Sequence, residues 1–523
     1  MYELTVYRGT FIHLPRLEGG LCKSKPALVR NCGALWVSAV DGRIKGFNWD
    51  VHDDESFREL MRVNAWVDVD AGIQTNGDGN YTMVKIVTAS EERNEFFFPG
   101  FIDTHIHAPQ YPNAGLFGST TLLDWLETYT FPVESAFGTT NTTPTNNPQD
   151  APPTALRVYD QVIARTLSNG TTCASYFATV HVPATNTLAA LAHKRGQRAF
   201  IGRVCMDNPS FCPSYYCDAS ASESLESTTS TIEYIHALDP KGTLIKPILT
   251  PRFAPTCSRP SLQALGALAA SYTPPLHIQT HISENTNEVA LVKELFPECP
   301  SYASVYDKYN LLTERTILAH AVHLSKEERS LVQRTKAKIS HCPASNSALG
   351  SGIAPVRTML DEGICVGLGT DVSGGYSCSI LEAVRQACLC SRLLGHTSSF
   401  VKEKEENVDG SEKLSVEESL YLATRGGADV VCMGDDLGGF DEGMIFDAQL
   451  IQLGGVSGDT VSLDIDVDVS GGNRMNVRTG PVGKVDIFGT ETWEEKIQKW
   501  VWSGDDRNVK AVWVAGRMVH EQL

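Results

Sequence analysis

Short apolar runs recur through the middle of the chain, each closed by polar residues: FFFPGFIDTHIH from Phe96, then GTTCASYFATV, QRAFIGRVCMD, GTLIKPILTPR, LHIQTHISE, TILAHAVH, AKISHCP and ICVGLGTD. Helix-like segments separate them. In TPTNNPQDAPPTALRVYDQVIARTLSNG, for example, Pro-rich sequence precedes an amphipathic run that Gly170 closes. Strand-like runs alternating with helices in this way predict a parallel (β/α)8 barrel. The polar residues just after each run would then gather on its carboxyl face, where such barrels assemble their sites.

The ends of the chain have a different texture. Residues 1–95 mix strand-like pieces, ALWVSAV and YTMVKIVTA, with turns and the acidic stretch WDVHDDESFREL. Near the other end, MIFDAQLIQL and KAVWVAGRMVHE read as strands able to return to that unit. The expected organisation is α/β: a distorted barrel over 96–435, and a small β-sandwich unit formed by 1–95 and 436–523, with an insertion near 455–487. SILEAVRQACLCSRLLG and SVEESLYLATRGGADVV read as helices, and the charged run KEKEENVDGSEK between them as a solvated loop. No internal repeat or extended low-complexity tract is visible.

Composition narrows the possible partners. The 523 residues are 42% hydrophobic, enough to bury a large core. Acidic residues outnumber basic ones by 62 to 44, for a net charge of -18, and no Lys/Arg stripe follows a phosphate backbone. A nucleic acid polymer is therefore a poor candidate, whereas a small ligand fits. The start, MYELTVYRGTFIHLPRL, lacks a basic and apolar leader, and no window offers about 18 uninterrupted apolar residues, so we expect a soluble, cytoplasmic chain without membrane attachment. Most of the 14 cysteines lie singly in apolar runs, as Cys173, Cys205 and Cys365 do, which suits buried thiols better than disulfides. Cys388 and Cys390 form CLC, not the CxxC of a zinc knuckle.

The chemistry concentrates at the ends of the runs. On a strand, residues two apart face the same side, so Asp103, His105 and His107 should project together. Taken alone, two such imidazoles can hold a metal or simply be satisfied by hydrogen bonds at a barrel mouth. His281 ends the fifth run, His320 lies in the sixth, and Asp371 ends the eighth in GLGTD. If the barrel forms, these ends converge on a set of nitrogens and one carboxylate, which suits Zn2+ or Fe2+ better than Mg2+ or Ca2+. Glu284, three residues beyond His281, stands where a carboxylate can take a proton from an activated water and pass it to a leaving group.

The motifs PGFIDTHIHAPQY, TPRFAPTCS, THISEN, AHAVHLS, SHCPASN and GLGTD, in this order and spacing, resemble the amidohydrolase superfamily and more narrowly the guanine deaminases. The likeness is strongest from Pro99 to Asp371. It implies hydrolysis of the exocyclic amine of guanine, giving xanthine and ammonia, with one zinc per chain. It further implies His105, His107, His281 and Asp371 as metal ligands, Glu284 as proton shuttle, and His320 with Asp371 orienting the water. Homodimers are common in the family, which makes a homodimer the expectation here.

The implied substrate assignment rests on Gln110 in HAPQY and on Arg252 and Phe253 in TPRF, with His320 also facing the ring. Gln110 has a donor and an acceptor for a base edge, Arg252 can donate to a carbonyl oxygen, and Phe253 offers an apolar face. The alternative is a related deaminase or chlorohydrolase acting on another purine, a pterin or a triazine, and a non-catalytic scaffold on this fold is a further reading. His277, His323 and His341 read as structural, and Lys246 lies too far upstream in its run to bridge a second metal. The Cys- and Ser-rich SFCPSYYCDASASES departs from the family pattern and leaves contacts from Tyr215 or Tyr216 open. MIFDAQLI also lacks the common Gly-Lys before the returning strand.

Overall fold

The computed structural model describes residues 2–71, 81–138, 146–397, 412–455, 463–467, 473–477 and 485–522. Most of KEKEENVDGSEK, and parts of the 50–95 and 455–487 regions, lie outside them. Two compact units form, one from 1–13, 28–99 and 440–523 and one from 14–27 and 100–439. The segment Leu14–Ala27, read above as part of the N-terminal β unit, groups with the barrel.

The larger unit is a barrel of eight parallel strands, each paired with its neighbours in chain order. We number them β1 (Phe101–His107), β2 (Thr171–Phe177), β3 (Arg198–Gly202), β4 (Ile245–Pro251), β5 (His277–Ile282), β6 (Thr316–His320), β7 (Lys338–His341) and β8 (Val366–Leu368). Each falls in one of the apolar runs, and nearly every strand residue is buried, as parallel strands covered by helices require. Just beyond β8, Asp371 N donates to His105 O at 2.8 Å and His107 N donates to Val372 O at 3.0 Å, which brings the last strand back to the first. The helix Pro153–Ser168 shows how the outer layer forms. Proline starts it, Ala155, Val158, Tyr159, Val162 and Ile163 make the inward stripe, and Gly170 ends the turn at φ 81°.

The smaller unit is one continuous mixed sheet of nine strands. Strand Leu4–His13 pairs antiparallel with Val29–Ser38 along its whole length and parallel with Thr82–Thr88. The returning strand Ala448–Gln452 inserts between Glu95–Pro99 and Val509–Val514, so both chain ends complete the same sheet. Lacking Gly-Lys has not stopped MIFDAQLI from making this pairing. Tyr7, Phe11, Phe97, Phe446 and Trp513 fill its core, with Tyr7 and Phe446 stacked at 4.1 Å. A helix, Asp54–Val63, begins within the acidic stretch, and in the insertion near 455–487 Leu463–Val467 pairs with Asn473–Val477 as an antiparallel ribbon. All 14 cysteines are free thiols.

Candidate active site

A cavity enclosing about 400 Å3, counting its mouth, opens at the carboxyl ends of the barrel strands. Its polar lining is His107, Gln110, Arg252, His281, Glu284, Glu288, His320 and Asp371, and its apolar lining comes from Leu122, Trp125, Leu126, Phe253 and Leu349. Every residue singled out from the sequence for substrate or proton transfer is therefore on its wall. His105 sits just beneath.

The imidazoles meet edge to edge. His107 Nε2 lies 3.2 Å from His105 Nε2, 3.1 Å from His281 Nε2 and 3.3 Å from Asp371 Oδ1, while His105 Nε2 is 3.1 Å from the same carboxylate oxygen. Four residues, His105, His281, His320 and Asp371, offer donor atoms all within 4.8 Å of one another. The His107 distances place its nitrogen in the same cluster. Two tautomers are fixed from behind. His281 Nδ1–H donates to Arg252 O at 2.6 Å and His320 Nδ1–H donates to Asn346 Oδ1 at 2.9 Å, so both Nε2 atoms turn a lone pair inward. Burial keeps His105, His107 and His281 neutral, pushing His107 down to about 4 against the pull of Asp371. Burial works to raise Asp371, but His105, His107 and His320 outweigh it and hold the carboxyl well below the usual range. Neutral imidazoles with inward lone pairs around an ionised carboxylate are a donor set that suits a borderline-soft divalent cation.

Backbone details that sequence periodicity cannot show deliver these groups. The pairing of β1 with β2 shifts register between Asp103 and Ile106, and this bulge breaks the simple alternation expected of Asp103, His105 and His107. Asp103 turns to β8 instead, accepting from Thr370 N at 3.0 Å and Thr370 Oγ1 at 2.6 Å. Burial raises its carboxyl to about 7 despite those bonds. His320 and Asp371 adopt left-handed backbones, φ 72° and 49°, conformations that cost about 1–3 kcal/mol each and mark functional strand ends. Gly369 has no room for a side chain, since a Cβ there would stand 2.7 Å from Ser340 Oγ and 2.8 Å from His105 Cβ. Phe177, at the end of β2, packs its ring within 5 Å of His105, His107 and His281 and shields them.

Glu284 is fully buried and held on both sides. Ser351 Oγ donates to its Oε1 at 2.9 Å, leaving Oε2 3.4 Å from His320 Nε2. Burial, then the Asp371 charge, raise the Glu284 carboxyl to about 8, a value from which it can both take and give a proton near neutrality. Glu288 orders this loop: as the N3 residue of the helix Thr286–Leu295 it accepts from Glu284 N at 2.8 Å and from Tyr302 Oη at 2.8 Å.

The opposite wall is braced from behind by a residue that the sequence did not single out. Glu134, completely buried on the short helix Phe131–Ser135, accepts from Arg252 Nη1, Gln110 Nε2 and Tyr216 Oη, each at 2.7 Å. Burial would raise it, but the Arg252 guanidinium prevails and holds it below the usual carboxylate value. An acidic residue isolated in the apolar stretch TFPVESAF was the available signal. Tyr216 is buried against this network and Tyr215 is exposed, which resolves the contacts left open for SFCPSYYCDASASES. His323 donates from Nε2 to Ser351 O, His277 packs on Phe200 deep in the barrel, and His341 is buried and neutral, so none of the three joins the cavity wall. Lys246 faces Phe200, away from this cluster.

Residues 96–519 match the model of the amidohydrolase family. The chain is 49% identical over 425 residues to a probable guanine deaminase of Schizosaccharomyces pombe, covering 81% of this chain and 71% of that one. It is 40% identical over 426 residues to guanine deaminase of Homo sapiens, covering 82% and 83%. Among solved structures, guanine deaminase from C. acetobutylicum with bound guanine superposes with a TM-score of 0.74 at 30% identity, covering 99% of this chain and all of that one. Among the described residues, no helix is long and apolar enough to cross a membrane.

Proposed function

Since the chain belongs to the amidohydrolase family and falls among its guanine deaminases, we infer that it hydrolyses guanine to xanthine and ammonia. The observation that carries this reading is one cavity joining a His and Asp donor cluster, a buried glutamate of raised pKa, and a polar wall fit for a ring edge.

One zinc per chain is assigned to His105, His107, His281 and Asp371, on the strength of nitrogens 3.1–3.2 Å apart around a shared carboxylate. Bound there, the metal would acidify a water so that a nucleophile is available near neutral pH. Glu284 Oε2, beside His320, receives the proton of the attacking water and returns it to the departing nitrogen, so that guanine plus water leaves as xanthine plus ammonia. His320 and Asp371 orient the water, and Asn346 fixes the tautomer that lets His320 accept. Arg252 donates to the ring carbonyl, Gln110 binds the ring edge, and Phe253 with Leu122, Trp125 and Leu126 excludes water from its faces. The working unit is taken to be a homodimer, as the family likeness implies, acting in the cytoplasm.

Ammonia release by metal-analysed protein, with guanine, adenine, cytosine and a pterin side by side, tests the reading. It expects turnover confined to guanine with about one zinc per chain. Zinc without guanine turnover would move the substrate to another heterocycle.

A further inference from the structure

Glu134 is not on the cavity wall, yet it grips two side chains that are. Its two oxygens are shared among Arg252 Nη1 at 2.7 Å, Arg252 Nη2 at 3.3 Å, Gln110 Nε2 at 2.7 Å and Tyr216 Oη at 2.7 Å. An ionised carboxylate only accepts hydrogen bonds. Gln110 must therefore turn one N–H of its amide towards Glu134, while its Oε1 accepts from Ser373 N at 3.3 Å and Ser373 Oγ at 3.4 Å, so the second N–H is the group left for a ligand. The sequence alone allowed Gln110 to act as donor or acceptor; Glu134 and Ser373 together fix which way the amide faces and leave it a donor. Arg252 is pinned in the same way, with its guanidinium over the Phe131 ring at 5.2 Å, so its remaining N–H groups have a fixed direction.

A buried Arg and Glu pair is by itself a common structural device. This one differs in that a second cavity residue hangs from the same carboxylate, and each donor it consumes decides what the cavity shows a ligand.

We propose that Glu134 is the positioning residue that sets ring selectivity, holding the Gln110 amide and the Arg252 guanidinium so that each presents a donor to the substrate edge. The inference rests on the guanine reading above. A ring that fits must offer an acceptor to the remaining Gln110 N–H and a carbonyl oxygen to Arg252. Guanine has both. Adenine lacks the carbonyl, and 2-aminopurine keeps the exocyclic amine to be hydrolysed but has no carbonyl for Arg252. Such a ligand leaves a buried donor unpaired, which is how a polar site rejects an analogue.

The test is kcat and KM for guanine and 2-aminopurine with the wild-type protein, Glu134→Gln and Tyr216→Phe, with zinc content measured on each. Wild type is expected to favour guanine by about 100-fold or more in kcat/KM. Glu134→Gln, with its metal retained, should lower that ratio by about tenfold or more, through KM for guanine above all. Should that variant fail to fold, Tyr216→Phe removes one bond to the same carboxylate and should lower the ratio less but in the same direction. A ratio unchanged in a folded variant, both substrates falling together, overturns the proposal. Failure of the wild type to turn over guanine overturns instead the reading on which it stands.

Discussion

The two walls of the cavity satisfy their polar groups in opposite ways. On the Glu134 wall the geometry is closed: Arg252, Gln110 and Tyr216 all donate to one carboxylate and each is buried. On the histidine wall it is open. His281 and His320 are anchored from behind, and their inward Nε2 atoms crowd other acceptors within 3.1–3.7 Å. A closed wall is rigid and presents a fixed pattern to a ring, whereas an open one is completed by what it binds. The division matches the two tasks proposed here, recognition on one side and activation of water on the other.

The sharpest way to separate the walls is to alter one group on each. Glu284→Gln keeps the shape of the open wall but cannot carry a proton, so kcat should fall by about 10^2–10^4-fold while zinc content is unchanged. Steady-state kinetics with metal analysis checks this, and metal loss would contradict the role. Arg252→Met breaks the closed wall and leaves Glu134 buried without its cation, which should cost about 3–5 kcal/mol near neutral pH. The pH dependence follows from sign. In the wild type the Glu134 carboxyl is held below its ordinary value, so its contribution is complete above the ordinary carboxylate range and lost as pH falls through the folded value. In the variant burial prevails and the carboxyl rises, so the folded state takes up its proton first and the penalty should shrink as pH falls from neutrality towards the ordinary carboxylate range. Urea unfolding across that range would show a constant penalty if the pairing does not matter.

Smaller changes sharpen the contrast. Ser351→Ala frees one oxygen of Glu284, and we expect a fall of about tenfold in kcat with KM for guanine held, which single-turnover assays can assign to the chemical step. An effect on KM alone would place Ser351 on the recognition side. Tyr216→Phe removes one of four bonds to Glu134 and should cost only about 1 kcal/mol of stability by urea unfolding. A much larger loss would mean that the closed wall depends on this tyrosine more than on Arg252.

How readily each wall could be read from the chain also differs, and for a physical reason. The open wall is built from strand ends, where an apolar run stops at a polar residue. The HxH of β1, His281, His320 and Asp371 all stand at such stops, and the eight runs that marked the barrel are its eight strands. What periodicity missed there is conformational: the bulge that diverts Asp103 to Thr370, and the left-handed backbones of His320 and Asp371. The closed wall is tertiary. Glu134 lies 118 positions from Arg252 and 82 from Tyr216, near the end of the continuous helical run 122–135, where no repeat or spacing ties the three together. Gln110 and Arg252 were found through family likeness, and the carboxylate that orders them emerged only from their side-chain geometry.

Titrating metal-stripped protein with zinc while following xanthine formation shows whether a single metal in the histidine wall and guanine chemistry belong to one site. No turnover is expected without metal, and activity should rise linearly to a plateau at about one zinc per chain. Turnover by the metal-free protein, or a plateau reached only at two, would contradict it.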